Sequence, residues 1–280
     1  MKLITWNIQR GRGPGNTCNI DRVVTDLTRM GLPDVLCLQE VSAGYDDLPG
    51  LDAGNQFIAL TRLLPGYTPI AGITTDTMGP AGMRRIFGSM IFSRCPVLQV
   101  IRHALPWPAD PEVMSMQRGM LEATLDTPLG LIRVATTHLE YFSLNQRMAQ
   151  VQRLRELQRD AARHARKQGP GTEAHGPFAA VARGGPALLV GDFNFLPGSL
   201  EHERLQAPFA DATPAWRDAW NLVHGKVANA PTVGLRDPDG IPFTFDFVFA
   251  CQRMAERVSD LQVASEVEGG DHQPLLLTLH

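Results

Sequence analysis

The sequence predicts an α/β protein, and three observations predict it. Short apolar runs at 34–39 and 187–190, bounded by Gly, Pro or polar residues, have the composition of strands covered on both faces. Segments 19–30 and 144–167 carry apolar residues near helical spacing, with polar residues between them. Between these helices, 67–139 breaks into strand-like pieces separated by Gly, Pro and Asp.

In chain order, residues 2–8 alternate apolar and polar and read as a strand delivering Asn7 to its end. A helix follows over 19–30, with apolar residues at 20, 23, 24, 27 and 30, and Gly31 and Pro33 stop it. The second buried strand, 34–39, ends at Glu40. Residues 51–64 look helical and stop at Pro65-Gly66. Strands are expected at 67–73, 86–93, 96–102, 119–125 and 130–137, the last ending at His138. The proline-rich stretch 103–117 is too broken for a helix and reads as a long loop at a functional rim, with Trp107 either shaping an entrance or anchoring the loop in the core. Ser143 caps a helix over 144–167, with Leu144, Met148, Val151, Leu154 and Leu157 inward and an arginine-rich face in solvent. Residues 168–185 form a surface loop resembling a linker. Strand 187–190 then meets Gly191, where the chain turns, and presents Asp192 and Asn194 together before Pro197. Residues 211–224 read as a short helix with Trp216, Trp220 and Val223 inward. Segment 243–250 alternates, with Asp246 opposite the phenylalanines 243, 245, 247 and 249, and 275–279 is a last strand after Asp271-His272.

The composition is that of an ordinary globular chain, 44% hydrophobic and 20% charged. A net charge of −3 excludes a global basic field of the kind that holds bulk duplex nucleic acid. Cys18, Cys37, Cys95 and Cys251 lie far apart with no CxxC pair, so neither a disulfide framework nor a zinc site is expected. The N-terminus becomes polar too early for a signal peptide and no apolar run approaches a membrane span, so a cytoplasmic location is expected.

The polar strand ends carry the functional argument. Taken alone, Asp192 and Asn194 serve equally as a turn in which both side chains bond their own backbone. Yet Asn7, Glu40, His138, Asp192/Asn194, Asp246 and Asp271-His272 all fall at or within strand-like segments, and they are split across the 168–185 loop. One site made of them requires a single domain over 1–280. Carboxylates and amides without thiolates suit a hard cation, Mg²⁺ with Mn²⁺ as a substitute, which needs only one or two protein carboxylates.

The ordered series Thr5-Trp-Asn7-Ile, Leu38-Gln-Glu40-Val, Thr137-His138-Leu, Gly191-Asp192-Phe-Asn194, Asp246-Phe-Val-Phe and Asp271-His272 resembles the endonuclease/exonuclease/phosphatase superfamily from residue 2 to 279. The resemblance implies a four-layer α/β sandwich, two mixed β-sheets face to face flanked by helices. It also implies Mg²⁺-dependent hydrolysis of a phosphoester by direct attack of water. On that pattern Glu40 is the principal metal ligand, with Asn7 beside it and Asp271 supporting. Asp192 and Asn194 orient or activate the water, His138 bonds a phosphate oxygen, and His272, held by Asp246, acts as acid/base or polarises the phosphate. The chain departs from the family where Arg and Tyr often flank the late Asp, here Thr244, Phe245 and Phe247. An acidic residue often found two after the first Asn is Gln9 here, and the Ser before the final Asp-His is Gly270. Arg84, Arg85 and Arg118 are spare cations that could replace the lost arginine, and Arg118 with Trp107 are expected to contact substrate. The acidic balance points to a small or single-stranded phosphoester over long duplex DNA.

Overall fold

The computed structural model describes residues 1–48, 50, 54–166, 176–179, 181, 183–237, 239–267 and 269–280. In chain order its first half comprises β1 (Lys2–Asn7), α1 (Ile20–Arg29), β2 (Val35–Ala43), α2 (Gln56–Leu63), β3 (Thr68–Met78), β4 (Arg84–Ser93), β5 (Val97–Ala104), β6 (Gly119–Thr127) and β7 (Gly130–His138). The second half holds α3 (Leu144–Arg166), β8 (Ala187–Asp192), α4 (Leu200–Gln206), β9 (Trp216–Asp218), α5 (Ala219–His224), β10 (Asp246–Cys251), α6 (Gln252–Ala255), β11 (Val258–Val263) and β12 (Leu275–Leu279).

The strands form two six-stranded sheets, ordered β11-β12-β1-β2-β4-β3 and β5-β6-β7-β8-β10-β9. Each sheet has one parallel pair at its centre, β1 with β2 and β7 with β8, and antiparallel pairs elsewhere. Alternation along β1 and β2 explains the layering. Leu3, Val35 and Cys37 face the other sheet, whereas Ile4, Trp6, Leu36 and Leu38 pack on α1 and α2 through Val23, Leu27, Phe57 and Leu60. On the far side, Val151, Leu154 and Leu157 of α3 and Leu205 of α4 join the core of the second sheet. The result is the expected four-layer sandwich. Gln39 ties the two sheets together: its Nε2 donates to Thr5 Oγ1 (3.1 Å) and to Thr136 Oγ1 (2.8 Å), both buried.

Several elements differ from the sequence reading. Residues 211–224 are not one helix: Trp216–Asp218 pairs with β10 as an edge strand, and only 219–224 is helical. Asp218 decides the change, because its carboxylate accepts the Trp220 amide as an N-cap and starts the helix there. Helix α2 begins at Gln56, capped by Asn55; residues 51–53 lie outside the described residues, as do 167–175, 180 and 182 of the expected helix end and loop. In α3, Leu144 is exposed, while Gln146 and Gln150 are buried and donate to Pro108 and Pro106 carbonyls, holding the 105–118 loop. Its arginine face is also less solvated than expected. Arg155 is buried and caps the end of α4 by donating to the carbonyls of Arg204 and Leu205, and Arg147 pairs with Glu201 at 2.8 Å. Strand β10 starts at Asp246, so the four phenylalanines do not share one face: Phe247 and Phe249 are in the core, and Phe243 and Phe245 line a cleft.

Candidate active site

The C-terminal ends of both parallel pairs open onto one cleft of about 690 Å³, and the motif residues from every part of the chain meet there. Glu40, His138, Asp192, Asn194, Asp271 and His272 line it, with Asn7 and Asp246 buried behind. The placement follows from the strands. Asn7 ends β1, His138 and Asp192 end the adjacent β7 and β8 and are register partners, and Asp246 opens β10 directly opposite Asp192.

Asn7 is the hub. Its Nδ2 donates to Glu40 Oε1 (3.1 Å) and to Asp192 Oδ2 (2.9 Å), and its Oδ1 accepts the Gln9 amide (3.0 Å). Glu40 sits at a β-bulge between Leu38 and Val41, with φ 57°, and its Oε2 meets Arg10 Nη1 at 2.7 Å. Gln9 Nε2 donates to Asp271 Oδ2 at 2.6 Å. Gln9, Arg10, Glu40 and Asn194 are four of the five non-glycine residues with positive φ among those described. Such backbone costs roughly 1–3 kcal/mol per residue and persists where surrounding structure imposes it, which is characteristic of functional sites.

On the other wall, His272 Nδ1 lies 2.8 Å from Asp246 Oδ2, and its Nε2 lies 3.8 Å from Asp192 Oδ2 and 4.0 Å from Asp271 Oδ1. Asp192 Oδ1 accepts the Asn194 amide (3.0 Å), while Asn194 Nδ2 donates to Leu139 O (2.9 Å). His138 Nε2 is 3.4 Å from Asp192 Oδ2. Gly191 makes this density of groups possible: with φ 132° it brings β8 so close to β7 that a Cβ would sit 2.0 Å from Thr137 O.

Proton affinities diverge within this cluster. Burial raises the Asp192 carboxyl, the His272 charge pulls it back, and Asp246 pushes it up again. For His272 burial favours the neutral ring, but the carboxylates of Asp246 and Asp192 outweigh it and hold the imidazole protonated. Burial, aided by the charges of Arg118 and His272, drives His138 well below its ordinary range and keeps it neutral. Partial burial raises Asp271 against the pull of His272, and Glu40 adds to the rise. Titratable neighbours pushed apart in this way mark acid–base division of labour.

Two sets of ligand atoms gather at the cleft. Asp192, Asp246 and His272 place theirs within 4.8 Å of one another, but there the protonated His272 ring already sets positive charge between the carboxylates, its Nδ1 2.8 Å from Asp246 Oδ2 and its Nε2 3.8 Å from Asp192 Oδ2. Glu40 and Asp271 form the second set. They offer hard oxygen donors to the cleft, and one guanidinium of its lining, Arg10, pairs with Glu40. That excess of carboxylate charge fits a divalent cation. Asn7 would join them by turning its oxygen from the Gln9 amide toward the cation.

Not every expected residue lies here. Arg118 lines the cleft, its Nε 3.4 Å from Glu140 Oε2 and its Nη1 buried without a partner. Arg84 pairs with Asp76, and Arg85 with Asp46 and Asp47, so neither lines the cleft. Trp107 does not line it either. At 50% exposed it is no anchor in the core; its Nε1 donates to Ser115 Oγ (2.8 Å), and Met114, Ser115 and Met116 of the same loop line the cleft. Arg10 was not legible in advance. It carries no motif, and only the bulge of β2 brings Glu40 to it.

With the geometry in place, comparison with known proteins identifies the class. The profile of the endonuclease/exonuclease/phosphatase family matches residues 4–272, and the chain belongs to that family. No curated protein matches the chain closely in sequence. Solved structures share the fold. An endonuclease/exonuclease/phosphatase from Beutenbergia cavernae is 24% identical (TM-score 0.66, covering 100% of this chain and 71% of that one). A mannosyl-6-phosphatase from Bacteroides thetaiotaomicron is 15% identical (TM-score 0.65, 100% and 99% covered). The 3′ phosphatase NExo from Neisseria, bound to a product DNA hairpin, is 20% identical (TM-score 0.60, 100% and 99% covered). Among the described residues no helix is long and apolar enough to cross a membrane.

Proposed function

We propose that the chain hydrolyses a phosphoester with the help of a divalent cation, Mg²⁺ or Mn²⁺, by direct attack of water. The observation that carries this reading is the convergence of Asn7, Glu40, His138, Asp192, Asn194, Asp246, Asp271 and His272, drawn from both sheets, on one cleft. Family membership and neighbours that include phosphatases support it.

Glu40 and Asp271, with Asn7, would hold the cation, which supplies positive charge against the phosphate oxygens and the departing oxygen. His272 stays protonated between Asp246 and Asp192, so its Nε2–H is a donor for a non-bridging phosphate oxygen. Neutral His138 donates to a second phosphate oxygen. Asp192, with Oδ1 fixed by the Asn194 amide and its proton affinity raised by burial, takes the proton of the attacking water. The water oxygen forms the new phosphorus–oxygen bond, the ester phosphorus–oxygen bond breaks, and the departing oxygen collects a proton from solvent. The balance is one water consumed and one alcohol released.

The test is a panel of phosphodiesters and phosphomonoesters assayed with Mg²⁺, with Mn²⁺ and with excess chelator. Turnover that requires metal supports the assignment; full turnover in chelator, or none on any phosphoester, sinks it.

A further inference from the structure

The walls of the cleft are chemically unlike its floor. Above the carboxylates and imidazoles, one side is an aromatic cluster from the two segments flanking the second sheet's active end: Tyr141 and Phe142 follow β7, and Phe243 and Phe245 precede β10. These rings meet edge to face. Tyr141 and Phe142 lie 4.8 Å apart at 88°, Tyr141 and Phe245 6.1 Å at 74°, and Phe243 and Phe245 4.6 Å at 64°. Tyr141 is 51% and Phe142 52% exposed, and Met114 across the mouth is 75% exposed. Exposed rings gathered at the rim of a cleft mark the surface that a ligand covers.

Cations are scarce on the same walls. Among the described residues, the two guanidinium groups lining the cleft are each paired with a carboxylate, Arg10 with Glu40 and Arg118 with Glu140, and Arg10 Nε and Arg118 Nη1 are buried there without a hydrogen-bond partner. That provision suits a single phosphate at the floor. Among the described residues it leaves few cations for the neighbouring phosphates of a polyanion, whose binding rests largely on Lys and Arg contacts. Tyr141 and Phe142 keep about half of their surface free in the cleft lining, and an aromatic ring set against them gains ring-to-ring attraction beyond the area it buries.

We infer that the substrate is a small phosphoester carrying an aromatic ring on a group next to the phosphorus, and that Tyr141, Phe142, Phe243 and Phe245 form the subsite that takes this ring. The inference rests on the phosphoester reading of the floor and adds the chemistry of the substituent.

Binding, measured without turnover, separates the two. Methyl, hexyl and benzyl phosphate and a ten-residue oligothymidylate are titrated calorimetrically with Mg²⁺, at two salt concentrations, into the full chain carrying Asp192→Asn, which slows hydrolysis and leaves the aromatic residues in place. Benzyl phosphate is expected to bind at least about 10-fold more tightly than methyl phosphate, and more tightly than hexyl phosphate. Phe142→Ala, at an exposed position where folding is not at stake, and Phe245→Ala are each expected to cut the benzyl-to-methyl ratio at least about 5-fold. Phe178→Ala, on an exposed aromatic outside the cleft, leaves that ratio unchanged. Equal affinities, a preference for hexyl, no binding of any phosphate, or tight salt-sensitive binding of the oligonucleotide would each overturn the inference. A phosphoester panel that shows metal-dependent turnover alongside equal affinities would leave the hydrolytic reading standing and remove only the aromatic subsite.

Discussion

Replacing Asp246 by Asn tests the role of His272 through its buried counter-charge. The buried contact between His272 Nδ1 and Asp246 Oδ2 is 2.8 Å, and the carboxylate is the largest influence holding the ring protonated against burial. Two charges about 4 Å apart attract by about 4 kcal/mol at an effective dielectric of about 20. At 1.36 kcal/mol per unit, that corresponds to a fall of about 3 units in the proton affinity of His272. At pH 8 the variant ring is then mostly neutral, its Nε2 loses its role as a charged donor, and kcat falls about 10²-fold. Compared with wild type at the same pH, the loss should shrink as the pH falls and the variant ring regains its proton. Stability should fall as well, because removing one partner of a buried ion pair leaves the His272 ring without its counter-charge. The assay is kcat at saturating Mg²⁺ from pH 6 to 9, with the melting temperature measured alongside. A variant with unchanged kcat at pH 8 would refute the role given to His272.

Further outcomes follow from the same geometry. Asp192→Asn should lower kcat at least about 10²-fold with little change in KM, and equal loss of both would point to a binding role instead. Because Asp192 must be ionised to act and burial raises its proton affinity, wild-type kcat should rise with pH through a limb above the ordinary carboxylate range near 4; a profile flat from pH 5 upward would contradict this. Glu40→Gln should raise the Mg²⁺ concentration required for half-maximal activity, and an unchanged metal titration would remove Glu40 from the cation site. Gly191→Ala should destabilise the chain by at least about 3 kcal/mol in denaturant titrations, since the new Cβ would sit 2.0 Å from Thr137 O; wild-type stability would show that β7 and β8 separate without cost.

The parts of the fold that were legible are those where local pattern and tertiary role agree. Ala187–Asp192 and Val35–Ala43 are buried on both faces and read as strands from composition alone, and the polar residues closing them could be recognised as candidates for one site. Elements without that agreement were missed. Val258–Val263 is a half-exposed edge strand, Leu200–Gln206 is a helix of two turns, and Trp216–Asp218 is held by β10 rather than by its own pattern. Within the site, the motif residues were visible because they recur in order, whereas Arg10 and the hydrogen bond from Gln9 to Asp271 depend on left-handed backbone that no spacing shows. The alternation of 243–250 was misleading in a useful way. The turn at Val233 and Phe243, paired by a backbone bridge, takes Phe243 and Phe245 out of the strand and delivers them to the cleft.

The account's central claim is that water held by Asp192 attacks phosphorus directly. Single-turnover hydrolysis in ¹⁸O-labelled water, with Mg²⁺ and enzyme in excess over the best phosphoester of the panel, tests it most directly. The account predicts one labelled oxygen on the phosphorus-containing product in that first turnover. Label in the released alcohol, or an unlabelled phosphorus product whose oxygen came from a protein carboxylate, would contradict it.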